Sequence, residues 1–518
     1  MKLAWLDAAI VLAYLVGIFV LAQLVSREKG AHRKDAKDYF LAGKALPWWA
    51  IGTSLIAANI SAEQIIGMSG SGYAIGLAIA SYEWMAAATL LIVGRWFLPV
   101  FLRNGINTMP QFLEERYGRR IRTVMAVFWL ILYVFVNLTS ILWLGSIAVN
   151  QVAGIDQFTA LVLLGAFALA YQLYGGLKAV ALTDIVQVSL LVLGGLSVAA
   201  ITLDRIGGGD VLAGFQRLWA EHPEHFRMIL SPDNPHYKEL PGLAVLLGGM
   251  WVMNVSYWGF NQYIIQRGLA AKSVAEAQKG VLLAAALKLV MPLIVVLPGI
   301  AAVALAPDLA RPDQAYPTMM GLLPTGVLGL VFAALVAAVM ASLASKINSI
   351  ATIFTLDFYA RIGDRKDETH LVTVGRLAAV GAVVVGVLAA RPLLGSFEQA
   401  FQYIQDFTGY FTPGICAIFL LGLFWPRANE AGALAGAIGS VALSIAVRFG
   451  LPQMPFMNRV GWVFVLSVAL AVAVSLATRP PQRNLIRTDD VDFRTSAGFH
   501  AGALVVIALL VVLYTVFW

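Results

Sequence analysis

Long apolar stretches alternate with short polar loops along the whole 518-residue chain. A helix needs about 20 mainly apolar residues to cross the hydrocarbon core of a bilayer. About 14 such segments can be marked, near residues 5–25, 48–67, 76–101, 123–149, 158–174, 180–203, 243–265, 281–305, 327–358, 372–390, 397–424, 431–449, 461–476 and 499–518. The pattern predicts an all-α membrane protein with about 14 transmembrane helices. Charged residues make up only 13% of the chain, against about 25% in soluble proteins, which favours the same interpretation.

The basic residues are distributed unevenly over the loops. With the N-terminus placed outside, the loops predicted to be cytoplasmic hold 24 of the 36 lysines and arginines, and the external segments hold 9. Cytoplasmic loops of membrane proteins carry the excess of basic residues, so we predict both termini outside a bacterial inner (plasma) membrane. We attribute the net charge of +7 to topology and to anionic lipid heads, not to nucleic acid.

Two predicted spans are interrupted by polar residues. The second contains Asn59-Ile60-Ser61-Ala62-Glu63-Gln64, and the seventh contains Asn254-Val255-Ser256-Tyr257 and then Asn261-Gln262. Corresponding interrupted helices five spans apart are typical of inverted-repeat transporters with a site near the membrane midplane. The alternative is a polar notch filled by hydrogen bonds between helices.

The repeat divides the chain into five regions. Residues 1–46 are predicted to form a flanking helix and a basic cytoplasmic loop, 47–204 the first five-helix repeat, 205–240 an external loop, 241–424 the second, inverted repeat, and 425–518 the C-terminal flanking helices.

Several ionisable side chains fall inside predicted spans, where a charge is costly and usually functional. They are Glu63, Glu83, Asp184, Lys288 and Lys346. Carboxylates, amides and an ammonium suit a solute that presents hydroxyls in several directions, and aromatic faces cover its apolar side. The alternative for Glu83 and Lys288 is an ion pair that only ties helices together. Polar stripes favour a cavity: Asn254, Tyr257 and Asn261 share one helix face, and Phe401 and Gln405 share another.

A broken helix also frees backbone carbonyls for a cation. The break at residues 57–61 and the hydroxyl of Ser342 in the ninth span are candidates for a sodium site, although a serine among alanines is more often a packing position. The chain contains no phosphate-binding GxxxxGK[ST] loop and no nucleophile with a plausible base. We therefore predict neither an enzyme nor an ATP-driven pump, and no cofactor apart from sodium as the coupling ion.

Three stretches of the sequence are similar to a known family. Residues Asn59 to Gln64, Met68-Ser69-Gly70-Ser71-Gly72 and Ser81-Tyr82-Glu83-Trp84, then Tyr257 to Arg267 with Lys288, and Ala400 to Gln405, resemble the solute:sodium symporter family, and more narrowly its bacterial sodium/galactose (sodium/glucose) cotransporters. The resemblance runs across nearly the whole chain. It implies a ten-helix inverted-repeat core of the LeuT type, with discontinuous second and seventh helices.

The resemblance also implies roles for individual residues. Sugar contacts would be Gln64, Glu83, Asn254, Lys288 and Gln405, with Asn59 close by. Tyr257 would be the inner gate, and Met68, Tyr82 and Phe401 would cap the sugar from outside. Sodium would bind the carbonyls of Ala57, Ile60 and Ala338 and the hydroxyl of Ser342, with Asp184 on its exit route.

Three positions depart from the pattern of these relatives. Ala86 and Ala341 stand where serines are common, and Lys346 stands where the residue is usually uncharged. Lys346 either pairs with Asp184 or faces the site. The sequence thus predicts sodium-coupled uptake of a monosaccharide by alternating access, with the sugar, sodium and membrane lipids as partners and no obligate protein partner. The alternatives are a proton-coupled or uncoupled sugar or polyol permease, and a membrane sensor built on the same fold.

Overall fold

The structure, a computed structural model, describes residues 3–26, 46–106, 108–174, 177–360, 368–478, 486, 488 and 490–518. These residues are almost entirely helical, and within them no β-strand forms. Each of the fourteen predicted spans coincides with a helical segment. The segments are Trp5–Ser26, 48–74, 77–103, 119–153, Gln157–Tyr174, Leu177–Gly207, 243–269, Val274–Leu305, 327–359, Glu368–Leu394, 400–424, Glu430–Gly450, Phe456–Ala477 and Ala497–Val516.

Nine helices in the described part of the chain are individually long and apolar enough to cross a membrane. A tenth candidate is the eleventh span, in which Ala400–Thr408 and Thr412–Phe424 meet at an angle of 47°. The second and seventh spans are built from shorter pieces, as the polar interruptions predict. The prediction of an all-α membrane protein is confirmed.

The second span breaks after its first helix, Trp48–Asn59. Ile60 is extended (φ −72°, ψ 113°), and its N–H makes the last helical hydrogen bond, to Ile56 O at 2.8 Å. The N–H groups of Gln64 and Ile65 instead turn to Ser61 O. Within the described residues the carbonyls of Ala57 and Ile60 therefore receive no backbone N–H, which leaves them available to another partner.

The chain resumes with a π-helical turn, Glu63–Gly67, and a helix, Met68–Ala74. This helix extends seven residues past the predicted end, through the glycine-rich run. The glycines allow close packing that a larger residue would block: a Cβ at Gly72 would lie 2.7 Å from Val296 O, and one at Gly70 would lie 2.6 Å from the Asp313 carboxylate.

The break in the seventh span repeats these parts in the opposite order. Helix Gly249–Val255 leads into a π-helical turn, Ser256–Phe260, then extended Asn261 (φ −80°, ψ 120°) and helix Gln262–Leu269. In the second span the extended residue comes before the π turn, and here it comes after it. The two spans therefore share the same parts, an extended residue beside a π-helical turn between two helices, although the extended residue lies on opposite sides of the turn.

The eighth span, Val274–Leu305, holds the broken second span in place. Gly280 lies against Ile51, and Gly299 lies against the backbone of Ser69, so the two helices touch on both sides of the break. Small residues permit such close approach between membrane helices. Lys288 sits between these two contacts on the eighth span and is fully buried.

Two charged side chains fasten flanking parts to the core. The Asp7 carboxylate accepts hydrogen bonds from Gly326 N (2.6 Å) and Gly329 N (2.9 Å), which caps the N-terminus of the ninth span. At the other end of a helix, the Arg116 guanidinium donates to the carbonyls of Gly422, Trp425 and Ala428. Positive charge is favourable at a helix C-terminus, here that of the eleventh span.

Candidate functional site

A cavity of about 140 Å³ lies where the two breaks meet. The walls come from the second, third, fourth, seventh, eighth, ninth and eleventh spans. All six predicted solute contacts line it, as do all four predicted gate residues: Asn59, Gln64, Glu83, Asn254, Lys288 and Gln405, with Met68, Tyr82, Tyr257 and Phe401. The structure thus brings together residues that are up to 346 positions apart in the sequence.

An ion pair forms one end of the cavity. Lys288 Nζ lies 2.6 Å from Glu83 Oε2, and both side chains are almost completely buried. Lys288 also donates to Asn59 Oδ1, and Gln64 Nε2 donates to Glu83 Oε1. The Trp258 ring lies 5.0 Å from the ammonium. The ion pair that the sequence left as an alternative therefore exists, and it also lines the cavity.

The Tyr257 hydroxyl connects the two broken spans. It accepts from Asn59 Nδ2 at 3.1 Å and lies 2.5 Å from the Tyr263 hydroxyl. Asn59 ends the first piece of the second span, and Tyr257 lies on the π turn of the seventh. A rotation of Tyr257 would therefore break contacts on both repeats at once.

An apolar cluster closes a different side of the cavity. The Tyr82 and Phe401 rings meet edge to face with centroids 5.1 Å apart, and Gln64 Nε2 lies 3.5 Å from the Met68 sulfur. Gly67 lies beside this cluster, where a Cβ would come 3.2 Å from Leu144 Cδ1 and 3.4 Å from Phe401 Cβ.

Two cavity amides retain free hydrogen-bonding capacity. Asn254 Nδ2 donates to Met250 O at 3.2 Å. The side-chain oxygen of Asn254 accepts no hydrogen bond among the described residues. The Gln405 side chain forms no hydrogen bond within the described residues and borders the cavity. Such groups are suited to bind a polar solute, because they need not first give up a bond inside the protein.

A second pair of charges lies at the far end of the cavity. Glu63 accepts from Ser140 Oγ and, at 3.4 Å, from Asn137 Nδ2. The Lys346 ammonium rests on the faces of Tyr263 (3.6 Å to the centroid) and Tyr133 (4.8 Å). Among the described side chains, which do not include that of Asp184, no carboxylate comes within 4.0 Å of this ammonium.

Comparison with known proteins identifies the family of the chain. The model of the sodium:solute symporter family matches residues 39–439. The chain is 48% identical to the sodium/glucose cotransporter of Vibrio parahaemolyticus, over 100% of this chain and 99% of that one. It is 33% identical to the human sodium/myo-inositol cotransporter, over 93% of this chain and 74% of that one. The chain belongs to the sodium:solute symporter family.

As a member of this family it is a multi-pass membrane transporter that couples solute uptake to sodium, and it is not an enzyme. A solved structure of a Na⁺-coupled sialic acid symporter matches it with a TM-score of 0.78 over 93% of this chain and 100% of that one, at 23% identity. At 23% identity the match shows the fold alone. The fold is of the LeuT type, as the resemblance implied.

The predicted sodium residues of this symporter lie outside the cavity lining. Ala57 and Ile60 carry the free carbonyls of the broken second span, while Ala338 and Ser342 lie on the ninth span, Ala338 being buried. Asp184 lies on helix Leu177–Gly207, but its side chain, and with it the predicted pairing with Lys346, lies outside the described part of the structure. The sodium site therefore stays a prediction.

Sequence reasoning missed several cavity residues. Asn137 was the only one with a visible signal, as an amide inside an apolar run of the fourth span. Ser140 and Tyr133 look like ordinary packing residues, and Tyr263 lies within the stretch that resembles the family without standing out from it. Their importance follows only from the contacts they make with Glu63, Lys346 and Tyr257.

Proposed function

We propose that the solute carried with sodium is a neutral monosaccharide of the galactose or glucose type. The observation that carries this proposal is the charge balance of the cavity: two carboxylates, Glu63 and Glu83, face two ammonium groups, Lys288 and Lys346. A balanced cavity rich in amides suits an uncharged ligand with many hydroxyls. A sugar acid or an amino sugar would add a charge that has no counterpart there.

Within this proposal the sugar binds by exchange of hydrogen bonds. Its hydroxyls replace the protein's own contacts: Glu83 accepts, Lys288 donates, and Gln64, Asn254, Gln405 and Asn59 do either. Tyr257 covers the apolar face of the ring on the inner side, and Met68, Tyr82 and Phe401 cover the outer side. The relative from Vibrio parahaemolyticus, named a sodium/glucose cotransporter, supports this class of substrate.

Sodium is proposed to bind the carbonyls of Ala57, Ile60 and Ala338 and the Ser342 hydroxyl. The two carbonyls that receive no backbone N–H at the break support this site, because a hard cation prefers oxygen ligands. Sodium there would hold the first helix of the second span against the ninth span and so favour the sugar site. Reciprocity then requires that sugar favours sodium.

For the direction of transport, we place the chain in a bacterial inner membrane with both termini outside and Asp184 on the cytoplasmic route of sodium. The first repeat (47–204) and the inverted repeat (241–424) would then move against each other around the site. The distribution of basic residues supports this orientation.

A polyol such as myo-inositol is the second candidate. Ala86 borders the cavity where sugar-transporting relatives commonly have a serine, and loss of one hydroxyl contact changes affinity by about 0.5–1.5 kcal/mol. The human relative that is 33% identical is named for sodium and myo-inositol.

Counterflow in reconstituted vesicles tests the substrate class. Vesicles loaded with unlabelled galactose, glucose, myo-inositol or N-acetylneuraminate, in sodium buffer, would be diluted into labelled galactose. We expect galactose and glucose to drive accumulation of the label, myo-inositol to do so weakly, and N-acetylneuraminate to fail. Counterflow driven by N-acetylneuraminate alone would overturn the argument from charge balance.

A further inference from the structure

The segment between the eighth and ninth spans covers the Phe401 end of the cavity. It contains a short helical turn, Pro312–Gln314, and a helix, Ala315–Met320. We call residues 307–320 the lid. Asp313 and Tyr316 of the lid are 1% exposed, so the lid is packed tightly against the helices below it.

Asp313 touches two of the helices that build the site. Its Oδ2 accepts a hydrogen bond from Ala400 N at 3.0 Å, at the start of helix Ala400–Thr408. Its backbone and Oδ1 lie against Gly70, where a Cβ would come within 2.9 Å of Asp313 Cα. Ala400 directly precedes Phe401, and Gly70 lies two residues after Met68. One carboxylate thus contacts two of the three helices that carry the apolar cap, those of Met68 and Phe401.

Further contacts hold the lid on the same surface. Arg311 Nη2 donates to Gly395 O at 2.6 Å, and its guanidinium lies 5.4 Å from the Trp143 ring of the fourth span. The Tyr73 hydroxyl donates to Pro307 O. The lid is therefore fastened to the second and fourth spans and to the start of the eleventh.

The interface under the lid leaves many polar atoms without partners. Fourteen buried side-chain polar atoms in the described residues lack a hydrogen-bond partner, and nine belong to the lid, to the helices it covers or to the gate: Ser69, Ser71, Tyr82, Trp143, Arg311, Asp313, Tyr316, Gln399 and Gln402. Buried polar groups are normally paired. Separation of the lid from the helices below it would expose these atoms to water.

We propose that Asp313 is the positioning residue that couples the lid to the apolar cap at Phe401. Closure of the lid brings its carboxylate onto the N-terminus of the helix that carries Phe401 and Gln405, so that the lid and the Phe401 cap close together. This inference rests on the proposed function, because it assumes that the Phe401 end of the cavity opens to the outside.

We call the contact between the Asp313 carboxyl group and Ala400 N the latch. The burial of Asp313 makes this contact sensitive to pH. Burial raises the pKa of Asp313 to about 7, against the opposing effects of the Ala400 N–H and the Arg311 charge; a carboxyl in water has a pKa near 3.9. The other titratable groups on the elements packed around it are Tyr73, Tyr316, Glu63, Glu398, and Tyr403 and Asp406 of helix Ala400–Thr408. Between about pH 4 and 7 the closed lid binds more protons than an open one, so acid favours closure, and this advantage is lost as the pH rises past about 7.

A cysteine reporter under the lid can measure closure. Gln399 is 4% exposed, precedes Ala400, and has a side-chain oxygen without a partner, so Gln399→Cys breaks no side-chain hydrogen bond of that oxygen. The single native cysteine, Cys416, is buried. The rate at which an impermeant methanethiosulfonate added outside sealed cells modifies the introduced thiol in sodium medium then reports the open lid.

The first comparison uses removal of the carboxylate. Adding Asp313→Ala to the reporter should speed labelling about tenfold at pH 6, because the closed lid loses the hydrogen bond that the Asp313 carboxyl group accepts from Ala400 N. Adding Asp308→Ala, an exposed carboxylate in the same loop, should leave the rate unchanged. Equal rates in the Asp313→Ala and Asp308→Ala proteins would overturn the proposal.

The second comparison uses Asp313→Asn, which keeps the acceptor oxygen but does not titrate. Dividing the rate of the reporter alone by that of its Asp313→Asn version at each pH cancels the titration of the thiol itself. The ratio should stay near 1 at pH 5 and rise severalfold by pH 8. A ratio that does not change between pH 5 and pH 8 would contradict the proposed role of the Asp313 carboxyl group. If the ratio rises while no sugar is transported, the assigned substrate fails and the latch stands.

Discussion

The two ends of the cavity contain the same charges in different arrangements. Glu83 and Lys288 touch at 2.6 Å inside a network with Asn59 and Gln64. At the other end, Glu63 is held by Ser140 and Asn137, and Lys346 lies on two tyrosine rings. One end is therefore a closed hydrogen-bond network that a solute must enter by exchange. At the other end, the Lys346 ammonium lies on the rings of Tyr263 and Tyr133, and Tyr263 contacts the gate residue Tyr257.

This difference assigns different roles to the two lysines. Removal of Lys288 leaves a buried carboxylate without its partner, which is strongly destabilising. A cation over an aromatic face is worth about 0.5–2 kcal/mol, so removal of Lys346 is milder. The position of Lys346 matters because Tyr263, on which it rests, also contacts the Tyr257 hydroxyl.

The largest effect is expected at the Glu83 end. Lys288→Ala should reduce sugar uptake at least a hundredfold, since it removes a donor to the sugar and leaves Glu83 unpaired. Initial uptake rates in vesicles, corrected for the amount of folded protein in detergent, measure this. Lys279→Ala, which changes an exposed lysine on the same helix, is the matched control and should behave like the parent. Uptake near the parent's in the Lys288→Ala protein would refute the assigned site.

An intermediate effect is expected at the gate that joins the two ends. Tyr257→Phe keeps the ring but removes the hydroxyl that meets Asn59 and Tyr263, so uptake should fall about tenfold with little change in stability. Tyr263→Phe removes one of these two bonds and should cause a smaller loss. A larger loss in Tyr263→Phe than in Tyr257→Phe would mean that the Asn59 contact does not hold the gate.

The smallest effect is expected at Lys346. Lys346→Met removes a positive charge from the helix that carries Ser342 and should lower the sodium concentration for half-maximal uptake severalfold, because like charges repel across a few ångströms. Uptake measured against sodium concentration tests this. If instead expression falls and Asp184→Asn restores it, Lys346 pairs with Asp184 and supports the fold. An unchanged sodium requirement with unchanged expression would contradict both roles.

Local sequence rules predicted one end of the cavity better than the other. Glu83, Lys288 and the two breaks were visible because a charge or an amide inside an apolar span is conspicuous. Glu63 and Lys346 were visible as charges, but their neighbours Ser140, Tyr133 and Tyr263 were not, because serine and tyrosine are common in packed helices. Which residues meet depends on how the two repeats pack, and the sequence does not contain that geometry in any local pattern.

The flanking helices and the lid illustrate the same limit. Arg459 is 2% exposed and pairs with Asp406, the residue after Gln405. The sequence did not indicate this contact, because the two residues lie 53 positions apart on different spans. Likewise, the sequence places Asp313 in a loop and gives no sign that it contacts Gly70 and Ala400, which the fold packs against it.

Uptake driven by a sodium gradient tests the central claim most directly, namely that sodium bound at the broken second span drives sugar through this cavity. Vesicles containing the parent or Ser342→Ala protein would be given labelled galactose with an inward sodium gradient, with equal sodium on both sides, or with choline. We expect the parent to accumulate galactose above equilibrium only with the gradient, and Ser342→Ala to need severalfold more sodium. Equal accumulation in sodium and choline, or dependence on a proton gradient alone, would contradict the account.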